Sequence, residues 1–261
     1  MGTVSKALEL LDYFTRSQPL IGLSDLARQA GLNKATCFRL LTELADSGFV
    51  EQIGTGREYR LGPTVLRLAA LREAQVPTRE AAMPVLQALA QKTGETAHLS
   101  MLMAESLRTL AYAYSAAHVT KVTMEDAETL PFHATSSGLA VLAFQTDAFR
   151  NTILAKPFPR LTRNTETNPA TLLARVAEVR SLGYAESRGS FQADVHSMAV
   201  PLFDTLGRCS GALAVAAPAS RMNEPQRRLI RYALTQAGTE ITTIWGGSLP
   251  TDIATLWRLA A

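Results

Sequence analysis

Thr36, Arg39 and Glu43 stand at i, i+3 and i+7 in a segment that opens Asn33, Lys34, Ala35. That spacing sets all three on one face of a helix, opposite an apolar stripe. An arginine so placed offers two parallel donors to guanine O6 and N7, worth about 1–3 kcal/mol of discrimination. Thr36 suits a thymine methyl or a phosphate. Asn33 and Lys34, with the free amides of the helix start, suit phosphate. Ser24, read as the N-cap of the preceding helix, offers a second amide end. Arg57 and Arg60, on a following hairpin, are spaced to reach the adjacent backbone or minor groove. A solvated Arg39–Glu43 pair on an ordinary helical hairpin is the plainer reading. The order of cap, glycine turn, polar helix face and hairpin favours double-stranded DNA instead.

A second constellation is Ala134-Thr135-Ser136-Ser137-Gly138, which precedes the apolar run LAVLAF. Two serines and the open amides of a helix start make a carboxylate site. The same residues also make an N-cap with no ligand, and the residues alone leave both readings open. His98, His118, His133 and His196 show no metal-ligand spacing, and His133 fits a structural hydrogen bond. No cofactor motif, nucleophile–base pair or paired acids mark an enzyme. Cys37 and Cys209 are too few for a disulfide framework, which fits a reducing, cytoplasmic setting and two small buried hydrophobes.

These groups need elements to hold them. Periodicity predicts a helix over Val4–Arg16, a second after Ser24 ended by Gly31, and a third stopped by Gly48 with Cys37, Leu40, Leu41, Leu44 and Ala45 inward. Phe49–Ile53 and Glu58–Leu61 read as a hairpin joined by residues 54–57. Pro63–Gln75 reads as a linker helix whose apolar face (Val65, Leu66, Leu68, Ala69) seeks a second copy of the chain. From Thr78 onward, a helix with Ala82, Val85, Leu86, Leu89 and Ala90 inside gives way to strands at Glu95–Met103, Leu107–Ser115 and Val119–Met124. Helices from Ser136, over Ala148–Leu154 and over Pro169–Leu182 follow, then strands Val195–Phe203 and Cys209–Ala217, and a long helix from Glu224. This mixed order predicts an α/β (α+β) two-domain chain. Its divisions are a winged helix-turn-helix (1–62), linker helix (63–77), sensor domain (78–247) and tail (248–261), whose residues after Pro250 read as a short helix or an arm.

The totals fit. The 261 residues are 47% hydrophobic and carry a net charge of +3. No apolar run approaches the roughly 18 residues of a bilayer span, and the N-terminus lacks a secretory pattern, so no membrane partner is expected. Residues 1–77 hold nine Lys/Arg against eight Asp/Glu. The DNA argument therefore rests on where charge sits.

The stretch GLSDLARQAGLNKATCFRLLTELADSGFVEQ, with YRLG closing the hairpin, resembles the winged helix-turn-helix of the IclR family of bacterial transcription regulators. The likeness continues through LPFHATSSGLAVLAF, GYAESRGSFQADVHSMAVPLFDTLGRCSGALAVAAPASR and the last long helix. It implies a cytoplasmic dimer or dimer of dimers, operator DNA as partner, and a GAF-like C-terminal domain that senses a small molecule. It also implies a repressor of a catabolic or transport operon. By this likeness Ser136, Ser137, Ser187, Ser197, Ala214 and Ala216 line the effector pocket. The chain departs from the family there: Ser187 replaces an acidic residue, Ser197 a cysteine, and Ala214 and Ala216 two serines. A less acidic, more apolar pocket is expected to take an organic acid with an apolar body, contacting Arg188, in what reads as a loop after Tyr184, or His196, on the strand that starts at Val195.

Overall fold

The computed structural model describes all residues except 1, 16–17, 55–57, 76–77, 205 and 260–261, and side chains except also 72–75 and 259. The chain divides into two units, Met1–Pro77 and Thr78–Ala261.

In the first unit, α1 (Thr3–Glu9) passes into a 3-10 turn at Leu10–Tyr13, so the single helix expected over Val4–Arg16 is broken. A two-residue strand β1 (Ile21–Gly22) follows, then α2 (Leu23–Gln29), α3 (Lys34–Asp46), β2 (Val50–Ile53), β3 (Glu58–Leu61) and α4 (Pro63–Gln75). The sequence did not foretell β1, which pairs antiparallel with β3 through Ile21–Tyr59 and Gly22–Glu58. That pairing fixes where α2 starts: Gly22, in extended backbone, is its N-cap, and Ser24 lies inside the first turn instead of capping it. Asn33 does cap α3, its Oδ1 accepting from Thr36 N at 2.8 Å. Gly31 and Gly48, at φ +63° and +71°, supply the left-handed backbone that ends each helix. The core joins Leu10, Ile21 and Leu26 to Cys37, Leu40, Leu41, Leu44, Val50 and Tyr59.

The second unit runs α5 (Thr78–Thr93), β4 (Thr96–Met103), β5 (Ser106–Ala113), α6 (Ser136–Phe144), α7 (Asp147–Leu154), α8 (Pro169–Leu182), β6 (Ala185–Arg188), β7 (Val195–Phe203), β8 (Cys209–Pro218), α9 (Glu224–Ile244) and α10 (Thr251–Leu259). Its five strands form an antiparallel sheet in the order β5-β4-β8-β7-β6. Val200 faces α9, where Gly238 is bare enough to admit it, and alternation turns Ser197 to the opposite face. There α6 lies across β6, β7 and β8.

Two expectations change and a third narrows to one of its alternatives. Val119–Met124 is not a strand: its backbone finds side chains instead of a sheet edge, Val122 O accepting from Thr96 Oγ1 (2.7 Å) and Met124 N donating to Tyr114 Oη (3.0 Å). Residues 185–188, expected as loop, form β6 at the edge beside β7. Of the two readings of the tail, short helix or arm, the structure has the helix, and its Ile253 and Trp257, at i and i+4, are buried. The indole N–H of Trp257 donates to Gly183 O at 2.9 Å, and its ring lies over Gly238.

Candidate functional site

The DNA-facing candidates lie along α3. Lys34, Ala35, Arg39, Thr42 and Glu43 are exposed, and Thr36 is half-buried beside its cap. Among the described residues neither Arg39 nor Glu43 is in an ion pair, so the face is free of the i,i+4 bridge that the plainer reading requires. Phe38, which sequence reasoning passed over, is 53% exposed on the same helix. An aromatic ring there is the kind of group that packs on a thymine methyl. Ser24 is exposed in the first turn of α2. Arg60 is held across the β2–β3 ladder by Glu51, Nε to Oε1 at 2.5 Å. Arg57 lies outside the described residues.

The second candidate is a pocket at the N-terminal end of α6. It brings together Ser136, Ser137, Ser187, Ser197 and Ala216, as the sequence expected, with His98 and Glu128, which it did not. Helix α6 is buried over its first eight residues. Thr135 caps it, Oγ1 accepting from Gly138 N at 3.0 Å, while the N–H groups of Ser136 and Ser137, on the first two residues, have no acceptor within the helix. Those two amides leave the helix at its pocket end.

Hydroxyls tie this end to three strands. Ser136 Oγ donates to Ser197 Oγ on β7 (2.8 Å), Ser187 Oγ on β6 donates to Ala134 O (2.8 Å), and Ser137 Oγ meets His98 Nε2 on β4 at 3.2 Å. His98 is 5% exposed and its Nδ1 has no partner. Burial pushes its pKa down to about 4, so the imidazole is neutral at physiological pH. Among the described residues this places one unpaired, buried ring nitrogen beside two amides that have no acceptor within the helix. The rest of the wall is apolar: Val122, Met124, Leu130, Phe191 and Val195.

Arg188 and His196 are not among the residues lining this pocket. Strand alternation turns Ser187 and Ser197 inward and their neighbours to the other face. There Arg188 Nη2 and Arg227 Nη2 bond the two oxygens of Glu186 at 2.9 and 2.7 Å, and His196 Nε2 lies 3.4 Å away. Ala214 is buried in the sheet without lining the pocket. The expected loss of acidity is also reversed, because Glu128 restores a carboxyl from the segment before α6. Cys209 is buried in the core, and burial pushes its thiol up to about 12, which suits the small buried hydrophobe expected there. His133 stacks on Phe158 and its Nε2–H donates to Pro159 O at 3.0 Å, a structural bond.

Residues 3–54 match the IclR helix-turn-helix domain, and residues 70–243 match the family described as bacterial transcriptional regulator IclR C-terminal. The chain belongs to the IclR family. It is a DNA-binding transcriptional regulator with a C-terminal effector domain. A structure of an IclR transcriptional regulator from Silicibacter sp. TM1040 is 54% identical, with a TM-score of 0.89 over 96% of this chain and 99% of that one. The regulator XynR of Escherichia coli is 27% identical over 94% of this chain and 97% of its own length. An IclR homologue from Microbacterium hydrocarbonoxydans, solved in complex with 4-hydroxybenzoate, is also 27% identical, with a TM-score of 0.74 over 94% of this chain and 99% of that one. The helix start and pocket thus sit in the effector domain of an IclR regulator.

The Glu186 cluster makes a prediction about acid stability. Burial alone raises the Glu186 pKa, but His196, Arg227 and Arg188 outweigh it and take the carboxyl from its ordinary 4.5 to about 2. A depressed folded pKa contributes stability above pH 4.5 that is lost as pH falls towards 2. Urea midpoints measured from pH 6 to pH 3 should fall more steeply for the wild type than for Glu186→Gln. Parallel curves would remove Glu186 from the acid response.

Proposed function

We propose that this regulator docks as a homodimer on operator DNA through α3 and the β2–β3 wing, and that a small organic acid with an apolar body, held at the start of α6, alters that binding. The observation that carries the reading is the buried, half-satisfied His98 beside the open amides of Ser136 and Ser137. Amides at a helix start, with the helix dipole behind them, select an anion. The apolar wall suits a ring or short hydrocarbon chain, and the related homologue bound to 4-hydroxybenzoate supports an acid of this class.

The DNA half rests on Arg39, with Thr36, Lys34 and Asn33 around it. Arg39→Ala should weaken binding to a duplex obtained by in vitro selection about 5- to 150-fold, from the roughly 1–3 kcal/mol of one bidentate base contact. Circular dichroism should be unchanged. Equal gel-shift affinity for both proteins would place base reading elsewhere.

The homodimer rests on α4, where Leu66, Leu68 and Leu71 are 75%, 41% and 56% exposed in a single chain. A run of exposed leucines on one short helix is costly unless a partner covers it. Leu68→Glu should lower the sedimentation coefficient and weaken operator binding together; an unaltered coefficient would count against this face.

The acid half is tested by removing one amide without breaking the helix. Thr135 is extended, at φ −114° and ψ 149°, so proline is accommodated at the following position. In a thermal-shift and calorimetric screen of aromatic, keto and sugar acids, at least one carboxylate should bind the wild type. Ser136→Pro should weaken it at least tenfold, whereas Ser136→Ala, which keeps the N–H, should weaken it less. Binding of neutral sugars alone would overturn the reading.

A further inference from the structure

We infer that Glu128 selects the effector by accepting a hydrogen bond from a hydroxyl or ammonium group at the end of the ligand remote from its carboxylate. This rests on the pocket being a carboxylate site and specifies which carboxylates enter it. Glu128 and His98 are the only ionisable side chains among the described lining residues. The charge that bears on Glu128 is Glu125, of the same sign, and no lysine or arginine is paired with it among the described residues. A half-buried carboxyl without a cation therefore shares a pocket with an amide end built for an anion.

The two sit at different ends. Glu128 O accepts from Thr109 N (2.9 Å), Leu130 N donates to Leu107 O (2.8 Å), and Thr129 bridges Arg108. Residues 128–130 therefore run beside β5, the outermost strand on that side. His98, against the start of α6, is on β4, the next strand in. Two strand spacings of about 4.8 Å separate them, and Thr109, beside Glu128, pairs with Ser100, two residues on from His98, so their backbones stand roughly 12 Å apart. One six-membered ring, or a short chain, bridges such a gap once a hydrogen bond is made at each end.

Like-charge repulsion gives the selection its sign. A simple acid brings a second anion into a low-dielectric pocket and adds no donor to the one backbone hydrogen bond that Glu128 accepts at Glu125, which disfavours both groups. An acid with a donor at its far end pairs Glu128 at the same moment that its carboxylate reaches Ser136 and Ser137. Burial and the Glu125 charge raise the Glu128 pKa, against the lowering hydrogen bond from the Glu125 backbone.

The test titrates the full-length protein calorimetrically with two matched series. One is benzoate, 4-hydroxybenzoate and 4-(aminomethyl)benzoate; the other is butyrate, 4-hydroxybutyrate and 4-aminobutyrate. In at least one series a donor-bearing acid should bind about 10- to 100-fold more tightly than its parent, the ratio for one hydrogen bond to a charged group. Glu128→Leu should abolish that preference while the parent acid binds as well or better. Glu128→Gln identifies the donor: a hydroxyl preference survives, because the amide oxygen still accepts, and an ammonium preference collapses. Parent acids that bind the wild type as tightly as their derivatives, or a preference that persists in Glu128→Leu, overturn the inference and leave the carboxylate site standing. A wild type that binds none of the six overturns the carboxylate reading, and this inference with it.

Discussion

A helix with no exposed residue in its first eight sets the terms for the effector domain. Burying α6 removes its flanks from water, so every backbone group at its start must find a partner in the protein or in a ligand. Room for it comes from small residues. A Cβ on Gly138 would lie 2.4 Å from Phe132 Cα, so only glycine lets the preceding turn come this close. On the sheet, Ala212, Ala214 and Ala216 of β8 leave depth for the helix to settle. The same close approach brings Ser136 and Ser137 against Ser197 and His98. The polar inner face of the sheet and the open amides are thus two sides of one packing constraint.

The pocket's outer wall is held differently. Residues 114–130 have one isolated bridge to β5 and are otherwise fastened by side chains to their backbone: Thr96 Oγ1 to Val122, Tyr114 Oη to Met124, and Arg221 Nη2 to Thr120 O at 3.1 Å. Arg221 is in turn fixed by a bidentate pair with Glu95, at 2.5 and 2.6 Å, Glu95 being 1% exposed. A buried carboxylate without its guanidinium is strongly unfavourable, so this pair keeps the end of β8 and the wall together. The contrast is between a site floor set by sheet and helix packing and a wall of irregular backbone, pinned by these polar bonds and by the buried side chains of Met124 and Leu130. Elements of the second kind lie at the low end of a protein's local stability.

Periodicity made the fold legible wherever one face was buried. The third helix, with Asn33 as cap and Cys37, Leu40, Leu41 and Leu44 inward, needed only its own residues. The same holds for the hairpin at β7–β8. Elements defined by distant partners were not legible. β1 is two residues long and exists because β3 lies beside it. Val119–Met124 has strand composition but no strand to pair with. Trp257 reads as part of a tail until Gly183 and Gly238, far back in sequence, provide its seat. In the pocket, Ser136 and Ser137 announced themselves by preceding an apolar run, whereas Glu128 belongs to a loop whose course no local pattern fixes. One signal for His98 was present: Thr96, His98 and Ser100 put three polar residues on alternate, inward positions of an apolar strand. Arg188 was misplaced by reading β6 as loop, and His196 by taking it with Ser197 on a strand that sends neighbours to opposite faces.

On the DNA side, charge is nearly balanced, which limits how affinity arises. Non-specific binding grows with the number of phosphates neutralised, and nine basic against eight acidic residues leave little surplus. Arg60 is occupied by Glu51 and Arg28 by Asp25, at 2.5 and 2.6 Å, which narrows it further. What remains is local: Lys34, Phe38 and Arg39 exposed along α3, with helix starts whose amides favour phosphate. A binder with weak general attraction depends on a few specific contacts, so a modest change in how they are presented has a large effect on occupancy. A coupling of about 1–3 kcal/mol shifts affinity roughly 5- to 150-fold. Hydrogen bonds to charged groups contribute about 1.5–3 kcal/mol each. One or two such bonds, made in only one of two states, are therefore energetically sufficient for a small ligand to govern a protein whose hold on DNA rests on placement rather than on charge.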